Sequence, residues 1–174
     1  MKSVNPLPLL LGLLLSAPAA WALPSDRDQP IRVQADSAEL DEKQGVAVYR
    51  GGVVITQGTL KITGDTVTIT QDSKGDIEVF TAVGKLAHYE QQPAIDKPLV
   101  QASGVTIQYF AANERIVLID QARIVQGGNT FEGEKIVYDT RRQIVNAGRA
   151  SGTDVSSPRP RIDMVIQPRP RAQE

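Results

Sequence analysis

Apolar and polar residues alternate with a period of two along most of the chain beyond residue 30. From Leu60 to Ile69 the apolar side chains are separated largely by lysine and threonine, and a similar alternation runs from Val105 to Tyr109. This pattern is typical of strands that bury one face. Turn residues interrupt it about every ten residues, and no window of helical length shows a 3.6-residue period. The spacing predicts an all-β sandwich, roll or barrel of many short strands.

The prolines divide the chain into a body and a tail. Between Pro30 and Pro158 only Pro93 and Pro98 occur, so the body is free to form sheet with one long connection near residues 91–98. We assign residues 23–157 to one domain. Residues 158–174 contain two Pro-Arg-Pro-Arg runs and are expected to be extended, with a possible edge strand at 162–167.

An internal repeat divides the body into two tandem halves. Residues 55–67 align with residues 124–136 at an offset of 69, with Gln-Gly and Gly-acid pairs in matching places. Each half is expected to contain two hairpin units that bury their apolar faces on their neighbours.

Two weaker matches extend the repeat. Residues 35–40 align with residues 102–107 at an offset of 67, which predicts a longer hairpin near residues 111–113 in the second copy. A fainter copy of residues 79–84 lies at residues 144–148.

The first 22 residues have the features of a secretory signal peptide. Lys2 is the only charge before Asp26, an apolar run covers Leu7 to Leu15, and Ala20-Trp21-Ala22 has the small-x-small form of a cleavage site. A membrane anchor is the alternative, but the run is shorter than the roughly 20 apolar residues of a membrane span. We predict cleavage after Ala22 and export as a soluble protein to the periplasm.

Composition excludes several kinds of chemistry. The chain has no cysteine, a single histidine, 20 acidic and 19 basic residues, so disulfides, thiolate sites and multi-histidine metal sites are excluded. The net charge of -1 argues against nucleic acid as a partner. The recurring acids Asp36, Asp65 and Glu134 are expected at turns and strand ends, and no nucleophile, base and orienting group occur together. We predict no enzyme, no metal and no cofactor.

The apolar face is either a filled core or an open groove. Periodicity alone cannot distinguish them, and the filled core is favoured because most inward faces are packed. A resemblance to a known family, which favours the groove, is carried by residues 28–33 and 49–62, followed later by Gly133-Glu134-Lys135-Ile136-Val137-Tyr138. Over about residues 28–165 the chain resembles the OstA-like family of periplasmic lipopolysaccharide-transport proteins, the LptA type.

The resemblance implies an open, twisted antiparallel β-jellyroll built from repeated hairpin units, whose interior holds lipid A acyl chains. It implies a bridge between an inner-membrane-anchored LptC-type protein and an outer-membrane LptD-type translocon, with head-to-tail self-association and no catalytic role. Each methylene buried from water contributes about 0.8 kcal/mol, so several acyl chains could be held without specific polar contacts.

Family interior positions and the apolar pattern together define the expected lipid groove. The resemblance assigns to it Ile31, Val33, Tyr89, Ile107, Tyr109 and Leu118. To these we add Leu40, Val48, Val53, Ile55, Ile62, Phe131, Ile136 and Tyr138. The expected partner edges, where strands are added from other proteins, contain Ile31, Val33, Ile162 and Val165.

Two other functions remain compatible with the residues. The first is a closed-core periplasmic β-repeat adaptor or assembly module that binds proteins by strand addition. The second is a periplasmic hydrolase, which the lack of a catalytic constellation disfavours.

Overall fold

A computed structural model describes residues 26–148 and 161–168, which form a short 3-10 helix and ten antiparallel strands. The proposed signal peptide and most of the Pro/Arg tail lie outside the described residues. The elements are η1 (Asp26–Asp28), β1 (Arg32–Gln34), β2 (Ser37–Asp41), β3 (Val46–Gln57), β4 (Leu60–Gln71), β5 (Ile77–Gln91), β6 (Val100–Phe110), β7 (Arg115–Gln126), β8 (Asn129–Asp139), β9 (Ile144–Gly148) and β10 (Asp163–Val165).

All ten strands belong to one unclosed, twisted sheet, which confirms the predicted fold class. Six long strands, β3 to β8, pair in chain order as consecutive hairpins. Short strands cover the two sides: β1 and β2 both pair with β3, and β9 and β10 both pair with β8. Each edge of the sheet is therefore a split strand.

The alternation in the sequence separates an apolar face from a polar one. Cross-strand neighbours share a face, and one row of partners runs from β2 to β9 through apolar residues only: Ala38, Tyr49, Val67, Ala82, Ile107, Leu118, Ile136 and Ala147. We call this apolar face the interior. The adjacent row on the other face carries mainly threonine, glutamine and valine.

A line of β-bulges crosses the sheet and folds it. Strands β3, β5 and β7 carry extra residues between Arg50 and Val53, between Val83 and Ala87, and between Ile119 and Ala122. Bulges bend a strand and increase its twist.

The consequence of the bend is visible in contacts between opposite ends of the strands. Tyr89 pairs with Ala102 in the sheet, yet its ring centre lies 5.5 Å from that of Tyr109, seven residues further along β6. The two rows of turns therefore face each other. We call the gap between them the mouth of the interior.

The structural repeat has an offset of 69 residues through its first three strands. Asp41 pairs with Val46 and Phe110 pairs with Arg115, so the two hairpins have turns of equal length and the same register. The expected offset of 67 and longer second hairpin are therefore wrong: β1 and β2 together correspond to the continuous strand β6. The weak match between residues 79–84 and residues 144–148 agrees with the register, because Ala82 and Ala147 pair with the equivalent Val67 and Ile136.

Candidate functional site

The interior contains most of the side chains expected in the groove. Nine of them are buried: Val53, Ile55, Ile62, Tyr89, Ile107, Tyr109, Leu118, Ile136 and Tyr138. Ile31, Val33 and Phe131 are half-buried and pack against this cluster. These twelve residues lie on one continuous apolar surface.

Two predicted groove residues differ from the rest. Val48 is paired with Glu39 and Thr68, so it lies on the polar face of the sheet, and its assignment to the groove is wrong. Val48 lies in the apolar run Val46-Ala47-Val48-Tyr49, where the sequence has no alternation that would identify the inward-facing residues. Leu40 does lie on the interior face, opposite Ala47, but at the open edge, where it is 65% exposed.

Three aromatic rings line the centre of the interior. Tyr109 stacks on Phe80 at 6.1 Å between ring centres and contacts Tyr89. Burial raises the pKa of Tyr109 to about 12, with a further contribution from Glu114. Burial is also the main reason that the pKa of Tyr89 is raised well above its ordinary value. Both hydroxyls are therefore neutral hydrogen-bonding groups at physiological pH.

In the second half, a hydrogen bond between two sheet residues crosses the mouth. The Tyr138 hydroxyl donates to Gln126 Oε1 at 2.8 Å, although Tyr138 pairs with Ile116 at the other end of β7. The bond satisfies the polar end of a ring whose body is buried.

In the first half, the segment before β1 lies at the mouth instead, bound to one of the two rows of turns. The Asp26 carboxylate accepts hydrogen bonds from Thr59 N, Thr59 Oγ1 and Gln91 Nε2, each at 2.7 Å. Gln91 in turn accepts a hydrogen bond from the Tyr89 hydroxyl. Gln57 Nε2 donates to the carbonyl oxygens of Arg27 and Gln29 at 3.2 and 3.1 Å.

Sequence reasoning missed this polar cluster. Asp26, Thr59 and Gln91 are far apart in the chain and belong to no motif. The only available signal was Gln57, which precedes a glycine in the repeat and matches Gln126. A cleft of about 820 Å³ opens beside the cluster, lined by Ile31, Phe80 and Ala111 among others from both rows of turns.

The two split edges expose apolar side chains. On β10 and its flanks, Ile162, Met164, Val165 and Ile166 are exposed, with Met164 at 51%. The strand lies within the segment expected to form an edge, and Met164 pairs with Phe131 on the interior face. On the opposite side, Val33 of β1 pairs with Ile55 and its outer edge has no partner strand among the described residues.

Acidic side chains at the bulges contact the backbone of neighbouring strands. Asp65 accepts a hydrogen bond from Lys85 N at 3.2 Å, and the Asp36 side chain lies against Gly51. A side chain at position 51 would bring its Cβ to 2.1 Å from Asp36 Oδ2. Within residues 26–148 and 161–168, no three potential ligands lie together as a metal site, and no helix is long and apolar enough to cross a membrane.

Comparison with known proteins identifies the family to which the chain belongs. A family model described as "LptA/(LptD N-terminal domain) LPS transport protein" matches residues 32–144. The chain belongs to this family. The resemblance to the LptA-type, OstA-like transport proteins is thereby confirmed, and a family of transport proteins agrees with the expectation that the chain is not an enzyme.

Relatives of the family give the same result. The chain is 69% identical to lipopolysaccharide export system protein LptH of Pseudomonas aeruginosa, over 99% of this chain and 100% of the relative. It is 32% identical to LptA of Escherichia coli K12, over 86% of this chain and 80% of the relative.

A solved structure shares the fold of this LptA-family chain. It is the crystal structure of LptH from Pseudomonas aeruginosa, described as the LptA-homologous periplasmic component of the lipopolysaccharide transport device. The TM-score is 0.76 at 72% identity, covering 83% of this chain and all of that one.

Proposed function

We propose that this chain is a periplasmic lipopolysaccharide-binding transport protein that holds lipid A acyl chains against its interior and bridges the inner- and outer-membrane export components. The observation that carries the proposal is the apolar row from Ala38 to Ala147, which runs without a break from β2 to β9 and so reaches both split edges. A closed globular core would end inside the sheet, whereas this surface continues to each side. Lipid can therefore pass from one molecule to the next without leaving an apolar surface.

The energetics suit a carrier. Burial of about 0.8 kcal/mol per methylene gives strong but non-directional binding, so acyl chains can slide along the row. Among the described residues, the buried polar ones are Gln91 and Thr140, which lie beside turns at the ends of strands. A lipid headgroup would remain at this polar boundary while its chains lie inside.

The edges supply the contacts for end-to-end assembly. We propose that β9 and β10 of one molecule pair with β1 and β2 of the next, covering the exposed apolar residues of both edges. The same two edges would receive an LptC-type inner-membrane protein and an LptD-type translocon.

The internal repeat predicts a register for that assembly. Within one chain, the two halves are joined by the pairing of β5 with β6. In the repeat, β9 and β10 are equivalent to β5, and β1 and β2 are equivalent to β6. If the junction between molecules copies the junction within one, Ala82 opposite Ile107 becomes Ala147 opposite Ala38. In the same way, Tyr89 opposite Ala102 becomes Met164 opposite Val33. This register would bring Val145 over the exposed Leu40.

Cysteine cross-linking tests the register, since the chain has no native cysteine. The double variant Ala38→Cys/Ala147→Cys should form disulfide-linked ladders under mild oxidation. The matched control Ser37→Cys/Ala147→Cys, with Ser37 on the opposite face, should form far fewer. Equal ladders from both variants would contradict the register, and no ladders from either would contradict edge pairing between copies.

Export to the periplasm remains part of the proposal. The leader at residues 1–22 should be removed, and N-terminal sequencing of the periplasmic protein should read from about Leu23. A mature chain that retains Lys2 would contradict cleavage and favour an N-terminal anchor.

Lipid extraction separates the transport function from a closed-core adaptor. Protein expressed with its leader in a Gram-negative host, purified and extracted with organic solvent, should release lipid A detectable by mass spectrometry. An extract no richer in lipid A than that of an unrelated exported protein would favour the adaptor.

A further inference from the structure

The two halves have different parts of the chain at their mouths. Gln57 and Gln126 occupy equivalent repeat positions. Gln126 accepts a hydrogen bond from the Tyr138 hydroxyl. The residue equivalent to Tyr138 in the first half is Ile69, which has no hydroxyl, and Gln57 instead donates to the carbonyl oxygens of Arg27 and Gln29. In the first half, residues 26–31 therefore occupy the place that a sheet side chain occupies in the second.

This segment is held mainly by side-chain contacts. It precedes β1 and has no partner in the sheet ladder. The Asp26 carboxylate provides three hydrogen bonds, Gln57 provides two, and Ile31 packs half-buried against the core. Few buried apolar contacts and exposed hydrogen bonds are the features of a segment that opens without global unfolding. Gly58 permits the close approach, since a Cβ there would lie 2.2 Å from Asp26 Oδ1.

The segment also occupies space that lipid needs. Arg27, Asp28 and Ile31 form one wall of the cleft at the mouth, opposite residues of the other row of turns. Ile31 thus places an apolar side chain on the wall of the cleft through which an acyl chain would enter.

We propose that residues 26–31 are a displaceable latch, which is held by Asp26, narrows the mouth of the first half and swings out when a lipid acyl chain enters. The proposal rests on the lipid-carrying function proposed above. A ligand shifts an equilibrium only by its differential affinity for the two states. Lipid that requires the volume taken by Ile31 binds only the open state and therefore stabilises it, whereas the second half stays closed by Tyr138 and Gln126.

Spin labels test opening without any lipid. Labels at Asp28→Cys and Ala112→Cys lie on opposite walls of the cleft, both exposed. Pulsed electron-electron double resonance should give one short distance between the two labels. When Asp26→Ala is added, this distance should lengthen and its distribution should broaden. A reference pair at Lys43→Cys and Ala112→Cys, both in turns of the sheet, should not change. If Asp26→Ala leaves the first distance unaltered, Asp26 does not hold the segment and the latch is refuted.

A disulfide lock tests the link to lipid. Thr59 Oγ1 and Asp26 Oδ2 are 2.7 Å apart, so Asp26→Cys/Thr59→Cys places two thiols at neighbouring positions, where a disulfide can be tested. The oxidised protein should bind purified lipopolysaccharide at least tenfold more weakly than the same protein after reduction with dithiothreitol. Equal binding by the oxidised and reduced forms would overturn the proposal.

The two experiments distinguish the possible failures. If the wild type and the reduced variant bind no lipopolysaccharide, the proposed function fails and a lipid-gated latch fails with it. The lipid-free distances would then still show whether Asp26 holds the segment closed. If both bind lipid and the lock has no effect, the carrier function stands and only the latch is wrong.

Discussion

The two halves of the sheet have the same strand registers but differ at the bulge and at the mouth. At the bulge of β3 the positive-φ positions are Gly51 and Gly52, whereas the equivalent residues of β7 are Asp120 and Gln121, with φ of 61° and 54°. At the mouth, the first half uses a preceding segment and the second half uses Tyr138. Register and apolar burial are therefore sufficient to define the fold, while the bulge residues and the closure of the mouth vary.

The largest expected effect tests whether the halves are equally packed. Ile55 and Ile124 are equivalent and both fully buried. Replacing either by alanine should lower the free energy of unfolding by about 2–5 kcal/mol, because each change removes methylenes and leaves a cavity. Urea denaturation of both variants measures the losses. A loss below 1 kcal/mol at only one position would show that the two halves are not equally packed.

Alkaline pH should weaken the contact between the halves at Tyr109. Its folded pKa of about 12 exceeds the ordinary value of 10, so the unfolded chain releases the proton first. The free energy of unfolding should be unaffected by this group below pH 10 and fall between pH 10 and 12, by about 3 kcal/mol in all. Tyr109→Phe should reduce the slope in that window. An unchanged slope in Tyr109→Phe would show that another group is responsible.

The bulges should respond with opposite signs. Gly51→Ala should cost more than about 1 kcal/mol, because φ is 84° and the new Cβ would overlap the Asp36 side chain. Asp120→Gly should instead be neutral or stabilise by up to about 1 kcal/mol, because it relieves a left-handed non-glycine residue. Thermal unfolding of the pair gives both signs, and destabilisation by Asp120→Gly would reveal a required contact of that side chain.

The smallest effect concerns closure of the mouth. Tyr138→Phe should cost about 1 kcal/mol, the net value of a hydrogen bond whose partner Gln126 remains near solvent. The spin-label distance across the first-half mouth should not change, since the segment there is held by Asp26. A shift there would mean that the two closures are coupled.

Much of the fold could be predicted because period-two alternation reports directly which face is buried. The pattern located the hairpins and the offset of 69, and it placed Ile62, Ile107 and Ile136 on the interior. It failed at Val48, where four consecutive apolar residues leave the facing of the strand undefined, and at residues 35–40, where a split strand obscured the alignment. Bulges leave weak signals because their residues need not be glycine, as Asp120 shows.

The closure of the mouth could not be predicted for a different reason. Hydrogen bonds from Thr59 and Gln91 to the Asp26 carboxylate join residues 33 and 65 positions apart. They form only after β1, β3, β4 and β5 have paired, and local pattern contains no information about that approach.

Photo-cross-linking in living cells tests the central claim that lipid lies along the interior. Phe131 and Glu132 are neighbours on β8; the first is half-buried on the interior face and the second exposed on the polar face. A photoreactive amino acid at Phe131 should capture lipopolysaccharide at least tenfold more than the same group at Glu132, in variants with matching thermal stability. Equal capture at the two positions, or capture only at Glu132, would contradict the account.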